Sequence, residues 1–431
     1  MKNNKPNIFE QILDKKTFFN LIILWFCWIV LIFVFQKFVS IKLEISGIDD
    51  TFNWTREYSI NPNPGFFLQN TFLDNQIAWD SEFYLAIAKE GYKTDKIREI
   101  GVRNNQVLPL TYGFMPLYPS LMRIVAIPVN IFFFDRQKAI EISGLIISCF
   151  SSLTAMICLY KLVIFQNKQP LIKRLTTPQT YREDWAYRSV YYLLIFPSAF
   201  FLIQIYSESL YLALSLLALV FMQRKHFMLA AFAIGFSIWT KAVGIFLLIP
   251  LIIYLFKEVN FKKIFKNKEL FLKKILPIII VLFSFLVWQI TFGKTYSEAQ
   301  KNYFGRSINN VPSSIISWLK TSTELFSIDN SHTKIYYIFQ ISSLMLSVVS
   351  AVKTYKEYKG ISLYSLSLVF FSATTLVIPQ SMMRYVLVSP SLFIFLGELG
   401  KNHNFDRIWT FFSILFLGFS TLLFTFNWWI E

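Results

Sequence analysis

A cluster around Asp80 carries the first side chains that could do chemistry. It is the segment Trp79-Asp80-Ser81-Glu82-Phe83-Tyr84. A carboxylate held among aromatic side chains can act as a general base once its surroundings set its pKa. The spacing also supports an ordinary structural role, because the residues up to Gly91 have helical periodicity and aspartate is a favourable N-cap. The two roles are compatible, since capping fixes the position of the carboxylate.

Two further clusters place single charges between apolar stretches. Glu208 lies in Tyr206-Ser207-Glu208-Ser209, and Lys241 follows Thr240. At the tip of a helical hairpin Glu208 can simply be solvated, with Ser207 as a helix cap. Within a membrane an ionisable group is costly, and a function is then the default assumption.

Three cationic residues form the next set. Arg384 precedes Tyr385 in Ser381-Met382-Met383-Arg384-Tyr385, and Arg306 and Lys301 lie further upstream. Long cationic side chains commonly extend to lipid headgroups. The planar guanidinium also suits a phosphate. Together, the clusters place a carboxylate, several cations and many aromatic rings on one side of a membrane, which would suit a lipid-phosphate substrate.

The elements that must position these residues are membrane helices. The 431-residue chain is 55% hydrophobic and only 16% charged, whereas soluble chains have about 25% charged residues. Apolar runs such as Phe18–Val39 and Ile142–Phe165 are long enough to cross a hydrocarbon core of ~30 Å as helices. We predict an all-α polytopic membrane protein with about 10–12 transmembrane helices.

The formal charge of +16 does not indicate a nucleic-acid partner. Lysines and arginines alternate between short loops, which is the positive-inside pattern, and no basic face or nucleic-acid-binding motif accompanies them. All three cysteines lie in apolar runs, so we expect no disulfide framework and no zinc site. The carboxylates do not group in a way that demands a metal, and we expect neither a metal nor a cofactor.

The predicted topology gives one membrane domain, residues 1–431. The basic leader is placed in the cytoplasm, residues 40–141 form a large first extracytoplasmic loop, and residues 293–333 form a second. Two hairpins follow the second span, with tips near Glu208 and Lys241 on the outer side. The segment Leu108–Phe134 is apolar but interrupted by prolines, so it is either a kinked span or a re-entrant element. Met115-Pro116-Leu117-Tyr118-Pro119 within it predicts a proline-bent entry into a helix.

The order of these motifs resembles the PIG-V type mannosyltransferases, relatives of the enzyme that adds the second mannose to the GPI anchor precursor. The resemblance runs from about Trp79 to Leu396, through the Asp80, Tyr118, Glu208, Lys241 and Arg384 motifs in sequence. It differs from the family pattern at Met115, where a second aromatic is common, at Lys241, where arginine is common, and in the external loops.

The resemblance implies a GT-C type fold with its active site on the extracytoplasmic side. It implies an inverting transfer of mannose from a polyprenyl-phosphate donor to a glycolipid or glycan acceptor, with Asp80 as the catalytic base. The candidate substrate-binding residues are Trp79, Glu82, Tyr118, Glu208, Lys241, Arg306, Arg384 and Tyr385. The composition, rich in Lys, Asn, Ile and Phe, indicates a prokaryotic plasma membrane; in a eukaryote the endoplasmic reticulum is expected.

Two other functions remain open from the sequence. A transporter or flippase for a lipid-linked glycan would share the spans and buried cations, but would usually lack the long loop after the first span and would often show internal repeats. A polymerase or ligase of lipid-linked glycans would use similar substrates, and the spacing of motifs separates it poorly from a monosaccharide transferase.

Overall fold

The computed structural model describes residues 15–43, 47–60, 72–92, 110–165, 179–257 and 268–430. Within these ranges the chain is nearly all helical. The β-structure in them is a single isolated bridge between Arg306 and Leu376. The prediction of an all-α protein is therefore confirmed. Residues 1–14 of the basic leader and the loops near Lys173 and Lys266, which support the predicted sidedness, lie outside the described residues.

Seventeen α-helices occur in the described ranges. They are α1 Lys15–Lys42, α2 Asn53–Ile60, α3 Asp80–Glu90, α4 Leu117–Phe133, α5 Arg136–Ile164, α6 Gln179–Ile195, α7 Glu208–Gln223, α8 Phe227–Thr240, α9 Leu248–Phe256, α10 Lys268–Trp288, α11 Lys294–Phe304, α12 Val311–Thr323, α13 Ser331–Thr354, α14 Lys359–Thr374, α15 Met382–Val386, α16 Pro390–Leu399 and α17 His403–Thr425.

Five helical stretches among the described residues are long and apolar enough to cross a membrane: α1, α5, the continuous α10–α11 stretch from Phe271 to Phe304, α13 and α17. Shorter apolar helices, including α4, α7, α8 and α16, pack among them. Large apolar side chains on the long helices are exposed, such as Leu31 and Phe411 at 67% and 66%. Such faces are stable in lipid, so the chain is an integral membrane protein. The count of ten to twelve spans stays a prediction.

The first helix of the first predicted hairpin ends earlier in the structure than the sequence predicts. The sequence predicts Val190–Ile205 as a helix, but α6 begins at Gln179 and ends at Ile195, directly before Phe196 and Pro197. Proline favours an extended conformation at the preceding residue and cannot continue the hydrogen-bond ladder. A buried 3-10 turn, Ala199–Ile203, then carries the chain to α7. The second hairpin has its break at Lys241, as predicted.

The proline-rich stretch after residue 110 forms α4, which pairs with α5 as an antiparallel hairpin. Tyr118 at one end of α4 donates a hydrogen bond to the Gly144 carbonyl at 3.0 Å. A side chain at Gly144 would lie 3.0 Å from Met122 Cε and 2.9 Å from Ile205 Cγ2, so the two helices touch closely at this glycine. The outer face of α4 exposes Ile127 and Phe132 at 70% and 79%.

The second predicted external loop, 293–333, is largely helical. A π-turn, Gln289–Gly293, joins α10 to α11 without a break. The 34 residues of that stretch correspond to about 50 Å at ~1.5 Å per residue, more than the ~30 Å hydrocarbon core. The excess length lets α11 reach the first loop, where Gln300 donates to the Gly113 carbonyl at 2.7 Å. Arg306 follows two residues after α11.

Three buried glutamines form a hydrogen-bonded cluster, here called the glutamine cluster, that holds the first loop against the helix bundle. Gln36 of α1 accepts hydrogen bonds from the Gln76 and Gln204 amides, each at 3.3 Å. Its own amide donates to the Asn75 carbonyl at 2.7 Å. Glu141 of α5 fixes the same loop, because its carboxylate accepts from the amides of Phe72 and Leu73 at 2.8 and 3.0 Å. These contacts hold the residues just before α3 against the bundle.

Candidate functional site

Asp80 is the first residue of α3, and its backbone setting is unusual. The preceding residue, Trp79, has φ 50° and ψ −112°, a sparsely populated region for a residue with a side chain. The capping prediction for Asp80 is wrong: Trp79 occupies the N-cap position, and Asp80 uses its carboxylate elsewhere. The predicted stop is confirmed, since α3 ends at Glu90 and Gly91 follows with φ 90°.

Four charged side chains from four separate parts of the chain form one network. A terminal nitrogen of Arg384 lies 2.7 Å from Asp80 Oδ2, and Arg384 Nε lies 3.0 Å from Glu208 Oε1. Lys241 Nζ approaches the same Glu208 oxygen to 2.5 Å. The side chains of Glu208, Arg384, Lys241 and Asp80 are 1%, 10%, 15% and 16% exposed. We call this group the ion network; its two carboxylates balance two cations, which is the condition for burying charge.

Glu208 is the centre of the ion network. It is the first residue of α7, where the helix dipole favours a negative charge. Its Oε2 is buried and has no hydrogen-bond partner among the described residues. The expected cap, Ser207, makes no capping hydrogen bond; its hydroxyl instead lies 2.7 Å from the Tyr84 hydroxyl of α3. The hairpin tip is therefore held by α3 and not solvated.

Arg384 lies on the short helix α15, which α13 holds in place. Ser381, directly before that helix, is in the left-handed region with φ 64°. Its amide donates to the Tyr336 hydroxyl at 3.0 Å, and the next amide, of Met382, donates to Gln340 Oε1 at 2.5 Å. Gln340 is fully buried. Two side chains of α13 therefore fix the backbone that carries the Arg384 side chain.

Aromatic rings surround the cations. The Arg384 guanidinium lies 5.4 Å from the Tyr206 ring and 5.8 Å from the Tyr385 ring. Arg306 stacks over Tyr385 at 4.7 Å and donates to its hydroxyl, while Lys241 lies 5.9 Å from the same ring. Tyrosine rings attract cations within about 6 Å. Tyr385 thus places three cations around one ring.

Tyr206 and Tyr84 orient the start of α3. The Tyr206 hydroxyl donates to the Ala78 carbonyl at 2.9 Å and accepts from the Asp80 amide at 3.2 Å. Burial, together with the nearby charges of Glu208 and Asp80, raises the pKa of Tyr84 well above its usual value. Tyr84 therefore stays neutral and available as a hydrogen-bond partner for Ser207.

A tryptophan cluster covers the approach to α3. Trp79 contacts Trp54 and Trp429 edge to face, with ring centroids 5.9 and 5.1 Å apart, and Trp54 lies 4.6 Å from Trp429. The Asp49 carboxylate accepts from the Trp429 amide at 2.7 Å. The residues after the last helix are in this way packed beside the candidate site.

The structure brings together most of the residues that the sequence singles out. Asp80, Glu208, Lys241 and Arg384 form the ion network, with Arg306, Tyr385 and Trp79 next to it. Glu82 is half-buried on the first turn of α3. Tyr118 is buried; its ring packs on Tyr84 at 5.1 Å, and its hydroxyl lies 2.8 Å from Ser148 Oγ.

Sequence reasoning assigned no role to three residues that shape the site: Tyr206, Tyr84 and Gln340. Tyr206 and Tyr84 stand inside the recognised motifs, and their position beside Glu208 and Asp80 was the available signal. Gln340 lies in an apolar helix, where a lone amide was the signal. Among the described residues, no three His, Cys, Asp or Glu side chains come together as a metal site would require.

No family model matches this sequence, and no curated protein matches it either. Among solved structures, ArnT from Cupriavidus metallidurans bound to undecaprenyl phosphate is similar, with a TM-score of 0.45 and 12% identity, covering 82% of this chain and 73% of that one. The apo oligosaccharyltransferase of Archaeoglobus fulgidus has a TM-score of 0.38 and 12% identity, covering 92% of this chain and 55% of that one. The form tethered to an acceptor peptide has the same score and coverage at 13% identity. This chain thus spans about half of the oligosaccharyltransferase.

The helices and the ion network together define the class of this molecule. It is an all-helical integral membrane protein with a charged, partly exposed site built from distant segments.

Proposed function

We propose that this protein is a membrane glycosyltransferase of the GT-C class. The order of its motifs resembles that of the PIG-V type mannosyltransferases, and we propose an inverting transfer of mannose from a polyprenyl phosphate to a glycolipid or glycan acceptor. The observation that carries the proposal is the Asp80–Arg384 pair at 2.7 Å. It joins a candidate base and a candidate phosphate ligand in one partly exposed site.

Asp80 has the properties of a positioned base. Its side chain is 16% exposed, so a substrate hydroxyl can reach it. The Asp80 amide donates a hydrogen bond to the Tyr206 hydroxyl, which fixes the position of the Asp80 backbone. In the proposed step an acceptor hydroxyl attacks the anomeric carbon while Asp80 takes its proton. The bond from that carbon to the phosphate oxygen breaks, and the lipid phosphate leaves as an anion. A single displacement inverts the carbon, so a β-linked donor gives an α-glycoside.

The cations supply the charge that the leaving phosphate needs. Arg384, Lys241 and Arg306 all lie around the Tyr385 ring. Preorganised positive groups that face developing negative charge lower the barrier without reorganisation. A phosphate oxygen would compete with Asp80 and Glu208 for the Arg384 guanidinium. We propose that this competition loosens Asp80 from arginine when the donor binds, so that the base is released by its own substrate.

The remaining assignments belong to the same proposal. The chain acts as one membrane domain over residues 1–431, with the ion network on the extracytoplasmic side of a plasma membrane. Glu208 holds the two cations, and Trp79 and Glu82 border the substrates. The buried Tyr118 supports α3 from behind by packing on Tyr84. Lipid, a polyprenyl-phosphate sugar and a glycan or glycolipid acceptor are the proposed partners. No cofactor or metal is assigned.

The test is sugar transfer in membranes that contain the wild type or Asp80→Asn, with radiolabelled polyprenyl-phosphate mannose and total lipid extract. A positioned base contributes about 100-fold to 10,000-fold, so Asp80→Asn is expected to lose nearly all transfer. Glu90→Gln is the matched control, because Glu90 is an exposed carboxylate on the same helix. Equal transfer by wild type and Asp80→Asn would remove Asp80 from the mechanism.

The same membranes separate the other candidate functions. A lipid-linked oligosaccharide donor that is used in preference to the monosaccharide donor indicates a polymerase or ligase. Movement of a labelled lipid-linked glycan across the bilayer without any new glycosidic product indicates a flippase, and would overturn the proposal.

A further inference from the structure

A groove lies at the end of the bundle opposite the ion network. It has a volume of about 900 Å³ and is bounded by α1, α6 and the first half of α17. Arg407 in its wall is 18 residues before Thr425, the last residue of α17, a distance of about 27 Å at ~1.5 Å per residue. The chain beyond α17 leads to Trp429 beside Trp79. The groove and the candidate active site are therefore separate.

Two guanidinium groups stand at the groove, from Arg188 and Arg407. Arg188 donates to the Gly397 carbonyl at 3.0 Å, which fixes its direction, whereas Arg407 is exposed. The one carboxylate in the lining, Asp406, accepts a hydrogen bond from the Tyr192 hydroxyl at 2.5 Å. These three charged residues give the lining a net positive charge.

The rest of the lining is mainly apolar and continues along α17. Phe411, Ile414 and Leu415 are 66%, 50% and 56% exposed, and Leu24 of α1 faces them across the groove. A soluble anion would gain nothing from this wall. A molecule with a negative head and a hydrocarbon chain matches both parts.

We propose that this groove binds one anionic phospholipid. The phosphodiester lies between Arg188 and Arg407, and one acyl chain follows Phe411, Ile414 and Leu415. Basic pockets between membrane helices on the cytoplasmic side are the usual places where anionic headgroups bind. The predicted topology puts this end of the bundle on that side. Lipid binding at this groove is independent of the proposed glycosyltransferase activity.

The test is native mass spectrometry of the purified full chain in detergent, titrated with phosphatidylglycerol or phosphatidylcholine of identical acyl chains. The wild type is expected to retain one phosphatidylglycerol in preference to phosphatidylcholine. One basic residue near an anionic lipid corresponds to about fivefold in affinity, so Arg407→Gln should weaken phosphatidylglycerol binding about fivefold and leave phosphatidylcholine unchanged. Leu415→Trp, which fills the apolar part, should weaken both lipids.

Arg224→Gln is the matched control, since Arg224 follows α7 at the same end of the bundle but stacks on Phe165, outside the groove. Equal losses in Arg224→Gln and Arg407→Gln would overturn the proposal, as would equal retention of the two lipids by the wild type. Displacement of phosphatidylglycerol by inorganic phosphate or glycerol phosphate, with Leu415→Trp unaffected, would indicate a simple anion site and would also overturn it.

Discussion

Replacing Glu208 by glutamine tests whether buried charge holds the candidate site together. Glu208 is 1% exposed and contacts Lys241 at 2.5 Å and Arg384 at 3.0 Å. The substitution leaves two largely buried cations facing one carboxylate, Asp80. Removing one partner of a buried pair costs about 3–5 kcal/mol. Glutamine keeps the shape and one acceptor oxygen, so we expect a loss of about 3 kcal/mol in the free energy of unfolding.

A double-mutant cycle separates the ion pair from the rest of the substitution. Lys241 is 15% exposed, so Lys241→Met alone should cost about 1–2 kcal/mol. Glu208→Gln with Lys241→Met removes both charges, and we expect it to cost about 2 kcal/mol less than the sum of the single variants. The assay is equilibrium unfolding in mixed micelles of a mild detergent and dodecyl sulfate, followed by far-UV circular dichroism.

The chain provides a control pair that has the same separation and differs in burial. Lys273 and Glu269 on α10 are also 2.5 Å apart, but their side chains are 70% and 75% exposed. Exposed pairs at this helical spacing contribute little to stability, because solvent screens the two charges. A coupling for Glu208 and Lys241 as small as that of the control pair would refute the argument that burial makes the ion network strong.

Three other substitutions follow from the geometry. Arg384→Lys keeps the charge but loses the fork that reaches both carboxylates, so the transfer assay should show about tenfold or greater loss. Tyr84→Phe removes the 2.7 Å hydrogen bond to Ser207 and should cost about 1 kcal/mol in unfolding experiments. Because the pKa of Tyr84 is raised, the wild type should lose stability as the pH rises above about 10, and the Phe variant should lose less. Gly397→Ala places a Cβ in conflict with Ser189 Oγ and 2.9 Å from the Ser189 backbone nitrogen; unfolding should show a cost of about 1–3 kcal/mol. Gly418→Ala lies in the middle of α17 with its nearest atom at 3.9 Å, and it should not destabilise the protein.

The local sequence pattern was sufficient to predict several structural elements near the site. Apolar periodicity and a following glycine predicted the helix that ends at Glu90, and the break at Lys241 was visible as a lone cation between apolar runs. Asp80, Glu208, Lys241 and Arg384 were each selected as single residues. The sequence placed them on one side of a membrane. Their direct pairing in one network was not predictable, because it depends on how helices far apart in the sequence pack.

Backbone strain was the other feature that the sequence concealed. Trp79 and Ser381 have positive φ angles, yet neither is a residue type that prefers this region. Such conformations persist only where surrounding contacts enforce them: the tryptophan cluster at Trp79, and the hydrogen bond to Tyr336 at Ser381. Both residues directly precede the helices that carry Asp80 and Arg384. The failed capping prediction for Asp80 has the same origin, since Trp79 takes the N-cap position.

The glutamine cluster implies an order of events during synthesis and membrane insertion of the chain. Gln36 enters the bilayer with α1, but Gln204, one of its partners, is 168 residues further along. At about 5–20 residues per second of synthesis, α1 waits roughly 8 to 34 seconds before that partner exists. During this interval the Gln36 side chain must form its hydrogen bonds with water, lipid or the insertion machinery. The contact between Gln36 and Gln204 therefore forms only after Gln204 has been synthesised, and the loop that leads to Asp80 is joined to this later segment only then.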